Sequence, residues 1–194
     1  MPIRPLAALL MSAAIAAPAL AADDPAVQRL DAYDDAVIAV MKQKLPFAAR
    51  SERFETLVRT YYDMPAIAAL VVGQAWAGTS ATDRFAAITA LTRHSAVSLA
   101  RNFTSYGGER FTIDPAVVTR GSNRIVRLTI SAGNSRNVLL HRMQQSGGSW
   151  RIVDVVADGV SQLAVQRADL AGAVAGGGAA GMARKLAELD ARAK

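Results

Sequence analysis

The 194-residue chain contains no cysteine and only two histidines, His94 and His141. Without cysteine there is no disulfide framework, no thiolate nucleophile, no thiolate metal site and no lipidated cysteine anchor. Neither histidine has a second histidine or a carboxylate at a metal-ligand spacing such as i, i+4. The chain has no Walker loop and no dinucleotide fingerprint. Its glycine triplet, Gly176–Gly178, is too short and too far from any strand to cradle a phosphate. Ser161 lacks the second glycine of a G-x-S-x-G elbow and reads as a helix cap. Aromatic residues make up 6% of the chain and do not alternate with its charges, which argues against nucleic acid as a partner. Together these absences predict a protein that is not an enzyme and carries no metal or cofactor.

The chain does have a segment with the character of an export signal. Arg4 supplies a positive start, Leu6–Ala17 is apolar apart from Ser12, and Ala19-Leu20-Ala21 is a small-x-small cleavage site. The apolar run is shorter than the roughly 20 residues a membrane span needs, and Asp23-Asp24 follow it. Residues 1–22 are therefore expected to be a signal peptide. Residues 23–194 are expected to form one domain in the periplasm, where a cysteine-free chain of this size can be held by its core alone.

The first half of that domain has helical spacing. Val27, Leu30, Tyr33, Val37, Val40 and Met41 form one stripe, and Asp31, Asp34 and Asp35 fall mostly on the opposite side. Phe54, Leu57, Val58 and Tyr61 form a second stripe. A third helix carries Ile67, Leu70 and Val71 behind an Asp63 cap and Pro65. A fourth opens at Thr79-Ser80 and carries Phe85, Ile88, Leu91, Leu99 and Phe103. The second half reads as strands at 109–113, 117–120, 124–131, 137–143 and 150–156, separated by Gly, Asn and Pro turn signals. Val126, Leu128 and Ile130 alternate with Arg127 and Thr129, so one face of that strand is buried. Two further helices, 161–174 and 179–193, flank Gly176–Gly178. Helices followed by an antiparallel meander predict an α+β fold. N-terminal helices would pack on one face of a curved four- to five-stranded sheet closed by the C-terminal helices.

Residues 109–151 carry seven arginines against two acids, Glu109 and Asp114. Guanidinium groups fork two hydrogen bonds onto a phosphate, and they equally suit a solvated outer sheet face. Asp154 interrupts an apolar strand. It needs solvent, backbone donors or an arginine, with Arg127, Arg151 and Arg167 the expected partners.

The segment Trp150–Arg167, WRIVDVVADGVSQLAVQR, resembles the closing signature of the MlaC/toluene-tolerance (Ttg2-type) family of periplasmic lipid-binding ABC transport auxiliary proteins. The helix at 54–62, IAALVVGQAW at 67–76 and FTSYGGERF at 103–111 extend the resemblance over most of the mature chain. GERF and SQLAVQRADL look closer to the hopanoid-associated HpnM branch. The resemblance implies a carrier with an apolar cavity between helices and sheet. Its partners would be a phospholipid or hopanoid ligand, an inner-membrane ABC transporter complex, an outer-membrane lipoprotein complex and, transiently, a membrane surface. The expected wall is Leu57, Tyr61, Leu70, Val71, Trp76, Phe85, Phe103, Val126, Leu128, Leu139 and Trp150. Arg124, Arg127 and Arg142 are the candidates for headgroup or partner contact. A docking subunit of the same fold with a filled core is the rival expectation.

Overall fold

The computed structural model describes residues 24–192, so the expected signal segment lies outside the described residues. Asp24 opens helix α1 (Pro25–Lys42) by accepting a hydrogen bond from the Ala26 amide at 2.8 Å, with Pro25 in the first turn where it removes no helical bond. Pro46 precedes helix α2 (Phe47–Tyr61), and Asp63 caps helix α3 (Met64–Val72) through the Ala66 amide. A single 3-10 turn, Gly73–Trp76, leads into helix α4 (Ala81–Asn102), whose Ser80 cap takes the Asp83 amide. Among the described residues no helix is long and apolar enough to cross a membrane.

The strands follow: β1 (Arg110–Ile113), β2 (Val118–Arg120), β3 (Asn123–Ala132), β4 (Ser135–Ser146), β5 (Ser149–Ala157) and β6 (Val160–Ser161). They form one antiparallel sheet in the order β1-β3-β4-β5-β6, with β2 paired to β3 beside β1. The two-residue β6 adds a sixth strand to the expected four or five. It exists because Asp158 and Gly159 both adopt positive φ (50° and 79°), making a two-residue reversal at the end of β5. Between β4 and β5 the register slips beside Arg142 and Met143. The bulge turns both Ile152 and Val153 into the core and bends the sheet around the helices.

The helical layer is tied to the sheet at α2 and α3. The Asp63 amide donates to the Ile152 carbonyl at 2.9 Å, and Arg151 reaches the carbonyls of Arg59, Thr60 and Tyr62 at the end of α2. A cation there satisfies carbonyls that have no helical partner. The core between the layers includes Leu30, Phe54, Val58, Leu91, Val126, Met143 and Ile152, with Phe54 packed against Phe103.

Helix α5 (Gln162–Ala191) is kinked into two limbs at Gly177 and Gly178, where the expected break lies. Gly178 holds φ 54° and ψ −142°, a conformation closed to side-chain-bearing residues. The kink is sharp enough that Gly181 of the second limb lies against the carbonyl of Ala173 in the first. Asp154 helps to launch the first limb. It accepts from Ser161 Oγ at 2.7 Å and from the Leu163 amide at 3.0 Å, while Ser161 Oγ takes the Ala164 amide. None of the arginines expected beside Asp154 pairs with it. Its only ion-pair contact among the described residues is Arg142, 4.0 Å away on the adjacent strand. The free amides at a helix start solvate the carboxylate, so it needs no closer cation.

Candidate functional site

A cavity of about 940 Å³ opens between the helical layer and the sheet. Its sheet wall comes from alternate residues of three paired strands: Leu128 and Ile130 of β3, Leu139 and His141 of β4, Val155 and Ala157 of β5. Their cross-strand register, Leu128 to Leu139 to Ala157 and His141 to Val155, sets them in rows on one face. The opposite wall comes from α1 (Tyr33, Asp34, Val37, Met41), the end of α4 with Phe103, and α5 (Leu163, Leu170, Leu186, Leu189). Exposed polar residues, among them Asn102, Thr104, Ser105, Asn137 and Asp169, mark the mouth. Along β4 the lining runs from exposed Asn137 through half-buried Leu139 to buried His141, so the closed end lies at His141, which the Tyr33 ring of α1 meets at 6.4 Å.

Of the eleven residues expected on the wall, Phe103, Leu128 and Leu139 line this cavity. Val71 and Val126 are buried in ordinary core, and Leu57, Tyr61, Trp76 and Trp150 pack against that core from its edge. Leu70 is 43% exposed and Phe85 73% exposed, so both face outward. Helical spacing names a stripe, but the stripes of α3 and α4 are broad, and their flanking members fall beyond the packed face. None of the three arginines lines the cavity. Arg124 pairs with Asp24 at 3.3 Å and stacks 5.3 Å over Trp150, Arg142 lies beside Asp154, and Arg127 is exposed. Arg127 and Arg142 occupy the alternate strand positions, on the sheet face away from the cavity.

Asp34, expected on the wet side of α1, lies on the buried side instead. Leu30, Asp34, Val37 and Met41 recur at i, i+4, i+7 and i+11, so Asp34 falls within the buried stripe. Neither of its carboxylate oxygens has a hydrogen-bond partner. Burial, reinforced by the neighbouring charges of Asp31 and Asp35, pushes its pKa up to about 8. His141 is buried on β4 with Nδ1 unpartnered, and burial pulls its pKa down to about 4. Beside them the Tyr33 and Tyr62 hydroxyls bond to each other at 3.1 Å, and burial raises both phenols, Tyr62 to about 12. At neutral pH this end of the cavity is polar but carries little charge. His94, half-buried on α4, pairs through Nδ1 with Asp190 of α5 at 2.7 Å. That partner lies 96 residues away, beyond the reach of local spacing.

The raised pKa of Asp34 has a consequence for stability. The unfolded chain releases this proton near pH 4, whereas the folded chain holds it to about pH 8. Over that window the unfolded state binds fewer protons, so the contribution of Asp34 to stability falls as pH rises. Asp34→Asn removes the titration. Its stability advantage over the parent chain is expected to widen by about 1–2 kcal/mol between pH 6 and pH 8, read from urea unfolding at both pH values. A gap that stays constant would mean that Asp34 already ionises in the folded protein at pH 6.

The fold is similar to that of the phospholipid-binding protein from Ralstonia solanacearum, whose structure was solved in complex with a phospholipid. The TM-score is 0.67 at 17% sequence identity, covering 86% of this chain and 97% of that chain. No curated protein matches the sequence. The family model described as MlaC protein matches residues 31–188, from α1 through the second limb of α5, and the chain belongs to the MlaC family.

Proposed function

We propose that the protein is a periplasmic lipid carrier. It lodges the acyl chains of a phospholipid in the cavity and shuttles the lipid between outer- and inner-membrane components of an ABC-type transport system. The observation that carries this reading is the cavity: about 940 Å³, at the upper end of the range for small-molecule sites, with leucine, isoleucine and valine rows between a polar mouth and a closed end. The likeness to a fold solved with a phospholipid supports the same ligand class.

The energetics explain why such a carrier is needed and why it needs no covalent step. Each buried methylene contributes about 0.8 kcal/mol, so two long acyl chains crossing water unaided would face a barrier on the order of 20 kcal/mol. A wall roughly as apolar as the bilayer removes that barrier while keeping pick-up and release nearly balanced. Ser161, the one hydroxyl that a hydrolytic scheme would draw on, bonds to Asp154 and the Ala164 amide and to neither histidine. A serine hydroxyl with no base beside it favours binding over hydrolysis.

The test is extraction of gently purified protein, followed by transfer of labelled phosphatidylglycerol from donor to acceptor vesicles. The expected result is roughly one phospholipid per chain and transfer that rises with protein concentration. Protein that carries no lipid and takes none up would overturn the carrier reading and leave the docking subunit. A hopanoid in the extract, with no glycerophospholipid, would replace the cargo but keep the carrier.

A further inference from the structure

The apolar rows account for most of the cavity, but they leave its closed end unexplained. Asp34 of α1 and His141 of β4 line that end from opposite layers, 3% and 2% exposed. Neither Asp34 oxygen and not His141 Nδ1 has a hydrogen-bond partner. Buried polar groups left unpaired are costly and rare, and a leucine at either position would extend the apolar wall. The Tyr33 and Tyr62 hydroxyls bond to each other, and neither makes a hydrogen bond to Asp34 or to His141 Nδ1. A lipid that enters chain-first places its chain terminus here, past the Leu128–Leu139 row and level with Val155.

We propose that Asp34 and His141 form a polar subsite at the closed end of the cavity, which hydrogen-bonds a hydroxyl group carried by the far end of an otherwise apolar lipid chain. The inference rests on the carrier reading of the same cavity. Its chemistry follows from the donor set. A protonated carboxyl offers one O–H donor and a carbonyl acceptor, and a neutral imidazole offers one donor and one acceptor. A hydroxyl both donates and accepts, so it can satisfy one group of each kind at once. A methyl terminus satisfies neither, and a charged group would be desolvated against partners that carry no opposite charge. The upward shift of Asp34 and the downward shift of His141 keep both groups neutral at the pH where loading would occur.

The experiment loads the protein from vesicles holding two phosphatidylglycerols at equal mole fraction. One has two hexadecanoyl chains, and the other has one chain replaced by 16-hydroxyhexadecanoyl. Native mass spectrometry then gives the ratio bound. The unmodified protein is expected to enrich the hydroxylated lipid about tenfold over the vesicle ratio, the discrimination that one satisfied buried pair supplies. Asp34→Leu and His141→Leu are each expected to return the ratio, read on whatever lipid is bound, to one or below. Asp34→Asn, which retains a donor and an acceptor, is expected to keep the enrichment, and Asp34→Ala, which adds no bulk, is expected to lose it and replaces a leucine variant that fails to fold. A ratio of one or below in the unmodified protein overturns the subsite, as it would if water alone served these groups. So does an enrichment that survives leucine at both positions. Loading of neither lipid overturns the carrier reading itself, which keeps the two failures distinct.

Discussion

Leu139→Arg is expected to emerge from gentle purification folded and without lipid, whereas Leu139→Met keeps its load. Leu139 sits in the middle of the β4 wall, between Leu128 and Ala157 in the cross-strand row, and it is only half-buried because it faces the cavity. An arginine there can keep its guanidinium in water while the cavity is empty, so folding is spared. Once acyl chains enter, the cation must either lose its water or obstruct the wall. Desolvating an unpaired cation costs several kcal/mol, and each 1.4 kcal/mol is a factor of ten in affinity. Loading should therefore fall at least about 100-fold, measured as co-purifying lipid and as vesicle uptake. Methionine conserves volume and apolarity, so its loading should stay within a few-fold of the parent. Full lipid occupancy in a folded Leu139→Arg protein would place the acyl chains elsewhere. Phe85→Arg provides the contrast: its 73% exposure on the outer side of α4 predicts no change in loading.

These two leucine and phenylalanine positions also show how far the sequence is legible. Both belong to clear apolar patterns, yet one lines the cavity and the other faces solvent. Strand alternation is strict, so Val126, Leu128, Leu139, His141 and Met143 could all be put on one face once register is known. That face includes His141, whose inward position follows from the same parity that placed Leu139. Helical stripes are looser. At 100° per residue a flanking position such as Phe85 or Leu70 can be counted into a stripe and still point away from the packed surface. Asp34 shows the opposite error: its charge suggests solvent, while its i+4 relation to Leu30 puts it inside. The elements themselves are well marked, because caps at Asp63 and Ser161, the Asp158-Gly159 reversal and the Gly176–Gly178 break are local signals. The cavity is not, since it is a gap between layers whose width depends on every packed side chain at once. Pairings such as His94 with Asp190 or Asp154 with the start of α5 depend on the same tertiary closure.

The C-terminal hairpin of helices gives the other large expected effect. A stretch from 171 to 181 that is alanine and glycine apart from Val174 suggests a weakly docked segment, but Gly181 is buried and has no room for a side chain. A Cβ there would collide with the carbonyl oxygen of Ala173, a backbone atom that no rotamer change can move. The missing side chains are thus what let the two limbs of α5 approach closely. Gly181→Val should force the limbs apart and withdraw Leu170, Met182 and Leu186, all fully buried, from the core they share with α3 and α4. Overpacking of this kind costs about 3 kcal/mol or more, which lowers the thermal midpoint of a domain this size by at least roughly 6 °C. Because Leu170 and Leu186 also line the cavity, lipid occupancy should drop in parallel. Gly172→Ala supplies the control. It lies in the first limb, where an added methyl group would meet only open space, so removing backbone freedom should raise stability by about 0.5–1 kcal/mol. If Gly181→Val melted with the parent while Gly172→Ala rose, the limbs could not be packed as closely as the Gly181–Ala173 approach requires. If both fell together, the whole segment would depend on glycine for flexibility rather than for contact.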